Sequence, residues 1–79
     1  MQLETVESSS IHAIGYDEAE RILEVVFNNG GIYQFVDVPP AEFKALMHAD
    51  SKGRYLNANI RNLYPYWRLY RPRRQRKTK

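Results

Sequence analysis

The segment that most constrains the fold is Arg21 to Val36, RILEVVFNNGGIYQFV. Two runs rich in β-branched and aromatic residues flank Asn28-Asn29-Gly30-Gly31, and such runs suit a pleated, half-buried surface. Asn and Gly accept positive φ at low cost, so the four-residue connection predicts a hairpin. In the first run Leu23, Val25 and Phe27 share one face, and Ile22, Glu24 and Val26 share the other. In the second, Tyr33 and Phe35 fall together, set to meet Val25 and Phe27 across the pair; they read as buried aromatics, with a surface platform for stacked bases as the alternative if the sheet face is open.

Ser10 to Tyr16 predicts a preceding strand, with Ile11, Ala13 and Gly15 opposed to His12, Ile14 and Tyr16. Asp17 to Glu20 form a polar turn, and the three strands make an antiparallel meander. Residues 1–9, polar and acidic with a serine triplet, read as a flexible leader. Pro39 and Pro40 end the sheet, because proline cannot donate to a ladder. A helix follows from Pro40 to Ala49, its stripe of Phe43, Leu46 and Met47 facing the sheet and Glu42 in its favourable first turn. Asp50 or Ser51 then caps a second helix, Lys52 to Leu63, with a Leu56, Ile60, Leu63 stripe. Tyr64-Pro65 ends it. Tyr66 to Tyr70 alternates again, as a fourth strand or an extended arm. The expectation is an α+β domain: a three-stranded antiparallel meander, two helices on one face, a candidate short fourth strand, and a disordered basic tail over 71–79.

Charge is segregated along this plan. Residues 51–79 hold ten Lys or Arg and no acid, whereas residues 1–50 hold nine acids and two basic residues, giving segment charges of +10 and −7. Five aromatics, Tyr55, Tyr64, Tyr66, Trp67 and Tyr70, fall in the basic part. Cations interleaved with planar rings suit a polyanion that carries stackable bases. Phosphate attraction is assigned to Arg54, Arg61, Arg68, Arg71, Arg73, Arg74, Arg76, Lys77 and Lys79. Tyr66 and Tyr70, in phase with Arg68, are the expected stacking pair, and Trp67 the expected core residue. Ser51, Gly53 and Asn57 form a candidate phosphate seat at the second helix, for which a plain N-cap with a packing glycine is the structural alternative.

Other chemistries find little support. There is no cysteine, which removes disulfides, thiol nucleophiles and thiolate metal sites and fits a reducing cytosol. His12 and His48 sit in different elements without carboxylates at ligand spacing, so no metal is expected. No acid pair or nucleophile elbow is present, so the chain is read as no enzyme, and no cofactor is implied. The start resembles no signal peptide, and no apolar run approaches the ~20 residues of a membrane span; the expected compartment is the cytoplasm.

These residues also carry a family pattern. S-x-I-x-x-I-G-Y near Ser9 to Tyr16, L-x-V-x-F from Leu23, G-x-Y-x-F from Gly31, V-P at Val38-Pro39 and A-x-S-x-G-x-Y-x-N-x-x-I-R over Ala49 to Arg61 resemble the KTSC domain. That family takes its name from the C-terminus of some lysyl-tRNA synthetases and also occurs as small bacterial proteins. Its usual Y-x-Y pair is Tyr33 and Phe35 here, one hydroxyl fewer. The likeness spans most of an expected domain over 10–70 and leaves the 71–79 tail outside. It implies RNA binding, through the synthetase context, and so ranks RNA before DNA. The other reading is a protein–protein module whose basic arm docks an acidic partner or a second copy; the sequence leaves the oligomeric state open.

Overall fold

The computed structural model describes residues 1–70. Five strands form one antiparallel sheet in sequence order: β1 (Leu3–Thr5), β2 (Ile11–Asp17), β3 (Ile22–Phe27), β4 (Ile32–Phe35) and β5 (Tyr66–Tyr70). Between β4 and β5 the chain forms α1 (Pro40–His48) and α2 (Lys52–Tyr55), which runs on into a π-helical turn, Leu56–Ile60. The α+β class is as expected, but the sheet has two strands more than the three-stranded meander. Among the described residues no helix is long and apolar enough to cross a membrane.

The hairpin forms where Asn-Asn-Gly-Gly predicts it. Gly30 takes φ 95°, the left-handed region that glycine enters at little cost. The Phe27 and Gly30 amides donate to the Gly31 and Phe27 carbonyls, each at 2.8 Å. The register sets Tyr33 against Val25 and Phe35 against Leu23, so the two rings meet Val25 and Leu23 rather than Val25 and Phe27. Phe35 is fully buried, and Tyr33 is half-buried against the core.

In β2 the simple alternation fails. The register shifts between Ile11 and Ala13, and this bulge at His12 turns both Ile11 and Ile14 into the core while His12 stays exposed. One extra residue resets the two-residue period of a strand. Ala13 and Gly15 are buried on the opposite face.

Residues 1–9, expected to be a flexible leader, supply the edge strand β1, which pairs Leu3 with Gly15 and Thr5 with Ala13. The segment buries little, but Gly15 leaves room for Leu3 to close over it: a Cβ there would come within 2.8 Å of Leu3 Cδ2. Val6 packs against the core and donates its amide to the His12 carbonyl at 3.1 Å.

The core lies between the sheet and the helices: Ile11, Ile14, Leu23, Val25, Phe35, Val38, Leu46, Leu56 and Ile60. Fully burying an aliphatic or aromatic side chain of this size contributes about 1.5–3 kcal/mol. The α1 stripe is as expected, with Leu46 buried and Phe43 and Met47 packed beside it; Phe43 stacks on Tyr16 at 4.7 Å between ring centroids. The second helix departs from expectation. Arg61 N–H donates five residues back to the Leu56 carbonyl at 2.8 Å, a π-type bond that inserts one residue into the turn. The phase advances, so Tyr64 rather than Leu63 returns to the core, and Leu63 is 69% exposed. The helical segment ends at Ile60, short of the expected Leu63.

Candidate nucleic-acid interface

The sheet register sorts the side chains near β5 into two faces. On the helix-covered face, one transverse row runs Glu4, Ile14, Val25, Tyr33, Arg68, and the next runs Tyr16, Leu23, Phe35, Tyr66. On the bare face lies Leu3, Gly15, Glu24, Gln34, Trp67. The β5 strand forms because Val36 N–H donates to the Pro65 carbonyl at 2.9 Å, which brings the chain back to β4 just after Pro65 has ended the helix.

On the helix-covered face, Tyr33 is the centre of a cluster. The Arg61 and Arg68 guanidinium carbons each lie 5.6 Å from its ring centroid. Tyr66 packs 5.4 Å from Tyr33 and 5.4 Å from Phe35, and Phe27 meets Tyr33 edge-on at 5.3 Å. A guanidinium over a ring is worth about 0.5–1 kcal/mol at an exposed site. Arg68 reaches the ring as its cross-strand neighbour. Arg61 reaches it from the residue after the π turn, and its Nη1 donates to Asn57 Oδ1 at 3.4 Å. The ring and the amide are neutral partners, so neither cancels the two positive charges.

Three sequence-predicted residues, Arg61, Arg68 and Tyr66, therefore meet around Tyr33. Tyr66 is 38% exposed. Arg54 stands apart, in a shallow depression of about 330 Å³ lined by Ala49, Asp50, Ser51, Arg54, Tyr55, Ala58 and Asn59. The residues of the expected phosphate seat make internal contacts. Ser51 Oγ accepts from Arg54 N–H at 3.3 Å, Gly53 lies so close to Ser10 Oγ that a Cβ would collide with it, and Asn57 holds Arg61. Ser51 is thus an N-cap and Gly53 a packing glycine, roles compatible with a phosphate seat. Arg71, Arg73, Arg74, Arg76, Lys77 and Lys79 lie outside the described residues, as does the side chain of Tyr70.

Trp67 reverses its expected place. It is 63% exposed on the bare face, because β5 is an edge strand and the helices cover the other side of the sheet. Its row neighbour Gln34 donates to Glu24 Oε1 at 2.8 Å. The alternation of Tyr66, Trp67 and Arg68 was legible; which face the helices cover was not.

Two tyrosines tied to one glutamate hold the helical layer beside this cluster. Tyr55 and Tyr64 donate their hydroxyls to Glu42 at 2.7 and 3.3 Å. The hydrogen bond to the carboxylate, and then burial, raise the Tyr55 pKa above the usual phenol value. Burial, and then the Glu42 charge, do the same for Tyr64. Tyr16 is raised chiefly by burial; its hydroxyl donates to the Val38 carbonyl. These three hydroxyls are structural ties. His48 Nδ1 lies 2.9 Å from the Lys44 carbonyl, and His12 is exposed on the β2 bulge, so the histidines remain in different elements.

The architecture and residue pattern both have known counterparts. A KTSC domain protein from Yersinia pestis has a crystal structure that matches with a TM-score of 0.84 and 36% identity, over 87% of this chain and 97% of that one. An uncharacterised protein of Stutzerimonas stutzeri is 41% identical over 70 residues, 87% of this chain and 99% of its own length. A lysine-tRNA ligase of Nostoc punctiforme is 30% identical over 63 residues, which are 80% of this chain but 11% of the ligase. The same unit is thus nearly all of one small protein and a short segment of a much longer one. The family model for the KTSC domain covers residues 7–64, taking in the bulged β2, the hairpin, both helices and the Glu42 ties, and the chain belongs to the KTSC domain family.

Proposed function

We propose that this chain is a non-enzymatic nucleic-acid-binding module, for RNA before DNA. The observation that carries the reading is the convergence of Arg61 and Arg68 on Tyr33, with Tyr66 beside them. Two cations held at one aromatic cluster give a place for backbone phosphates next to rings that can pack against bases or sugars. The six further cations of residues 71–79 add attraction that is independent of base sequence. RNA is preferred because relatives that carry this unit are named lysine-tRNA ligases. Cytoplasmic residence, without cofactor or metal, belongs to the same proposal.

Salt dependence tests it. Each phosphate neutralised on a single strand contributes about −0.7 to the slope of log K against log salt. If Arg61 and Arg68 each take one phosphate, the double variant Arg61→Ala/Arg68→Ala binds single-stranded RNA more weakly and its slope is about 1.4 shallower than the parent's. Equal slopes for parent and variant would remove the cluster from the interface. No binding to RNA, DNA or heparin at low salt would end the reading altogether.

One observation favours a second reading, docking to an acidic protein surface. The row through Tyr33 begins at Glu4 on the β1 edge and ends at Arg68 on the β5 edge, so a second copy could offer acid to base. In that case sedimentation velocity shows self-association that salt dissolves.

A further inference from the structure

We propose that Trp67 is the base-stacking residue of a single-stranded RNA site on the bare face of the sheet. The inference rests on the nucleic-acid reading above and names the class of ligand. Successive residues of a strand point to opposite faces. On β5 that places Arg68 over Tyr33 on the helix-covered side and Trp67 beside Gln34 on the other. The two side chains leave the backbone only about 3.8 Å apart, at a sheet edge. A strand that crosses this edge meets a phosphate-binding cation on one side and an indole on the other.

The indole is 63% exposed, although tryptophan is ordinarily a largely buried residue. Its neighbours decide what would cover it. Gln34 and Glu24 are joined by a 2.8 Å hydrogen bond, and both keep oxygen lone pairs for further donors. A carboxylate repels phosphate but accepts from the N–H groups on a base edge. The bare face is therefore suited to a base, and the Arg61–Arg68 face to the backbone. In a duplex the Watson–Crick edge is occupied and the ring faces are stacked on neighbouring bases, so a base that lies on the indole and meets these acceptors is single-stranded.

Trp67 is the only tryptophan beside six tyrosines, so fluorescence excited at the red edge of the indole band, where tyrosine does not absorb, reports on this site alone. The full chain is titrated at low salt with a short single-stranded RNA, with an abasic backbone of the same length, and with heparin, while anisotropy of labelled RNA is read in parallel. The expected result is quenching by RNA but not by the abasic strand or heparin. Trp67→Ala then weakens RNA binding about 5- to 140-fold, the loss of one stacked base, with heparin affinity unchanged. Trp67→Phe, which keeps a ring, retains most of the affinity, and thermal melts of both variants match the parent. RNA binding without quenching, and equal in Trp67→Ala, overturns the inference and leaves the proposed function standing. Self-association that depends on Trp67, with RNA binding unaffected, overturns it in favour of a protein contact. Failure of every polyanion to bind removes the proposed function, and this site with it.

Discussion

Glu42 shows how one side chain can set both packing and titration. It accepts from Tyr55 in the second helix and from Tyr64 after the π turn, so three segments share one carboxylate. Both phenols are raised above the ordinary value of 10.0. The neutral phenol is the form favoured in the folded state, so the unfolded chain ionises first as pH rises. The stability from these ties is intact below about pH 10 and is lost as pH climbs through the raised folded values. Glu42→Gln keeps an acceptor but removes the charge. Both tyrosines then titrate closer to 10, followed by phenolate absorbance, and the alkaline loss of stability becomes shallower. An equally steep loss would mean that the carboxylate charge is not the cause. Much at this scale was visible in the sequence: Glu42 in a first turn, Ser51 as a cap, Gly53 as a packing residue. The Tyr–Glu–Tyr tie was not, because its partners lie 13 and 22 residues away and no local pattern signals them.

Among the elements, the π turn carries the most consequence. It buries Leu56 and Ile60, turns Tyr64 inward and delivers Arg61 to Tyr33. Ile60→Ala is expected to cost about 2–5 kcal/mol, as for other buried aliphatics, measured by denaturant unfolding; a cost near zero would show that the turn is not anchored there. The hairpin and α1 could be read from sequence because their signals are local: turn residues, a two-residue period, a 3.6-residue stripe. The π turn, the bulge at His12 and the shift between Ile32 and Tyr33 could not. Each inserts a residue and resets the phase, and the sequence on either side still looks regular. For Trp67 the error has a different source. A tryptophan in so small a domain is assigned to the core on size alone, yet burial depends on which face the helices cover. Similarly, β1 has too few apolar residues to announce itself and depends on the space above Gly15.

Across the whole molecule, folding and charge occupy different parts of the chain. Every buried hydrophobic residue among those described lies between Ile11 and Ile60, while half of all the Lys and Arg, six of twelve, fall in residues 71–79. Deleting residues 71–79 is expected to leave the thermal midpoint close to the parent's, because RPRRQRKTK has no aliphatic or aromatic side chain to bury, while heparin and RNA affinity fall and their salt slopes flatten. A large drop in the midpoint would show that the tail supports the fold. The strand order also has a kinetic consequence. From β1 to β4 each strand pairs with its sequence neighbour across a short turn, so closing these contacts costs little chain entropy. The β4–β5 pair must wait for about thirty intervening residues to form their helices, and a pairing of that separation is the slow, non-local step. The strand that bears Trp67 and Arg68 is then the last to arrive, and the first candidate for local opening. Amide exchange should find β5 the least protected of the three strands β3 to β5, and protection there should rise when a ligand bridges its two faces.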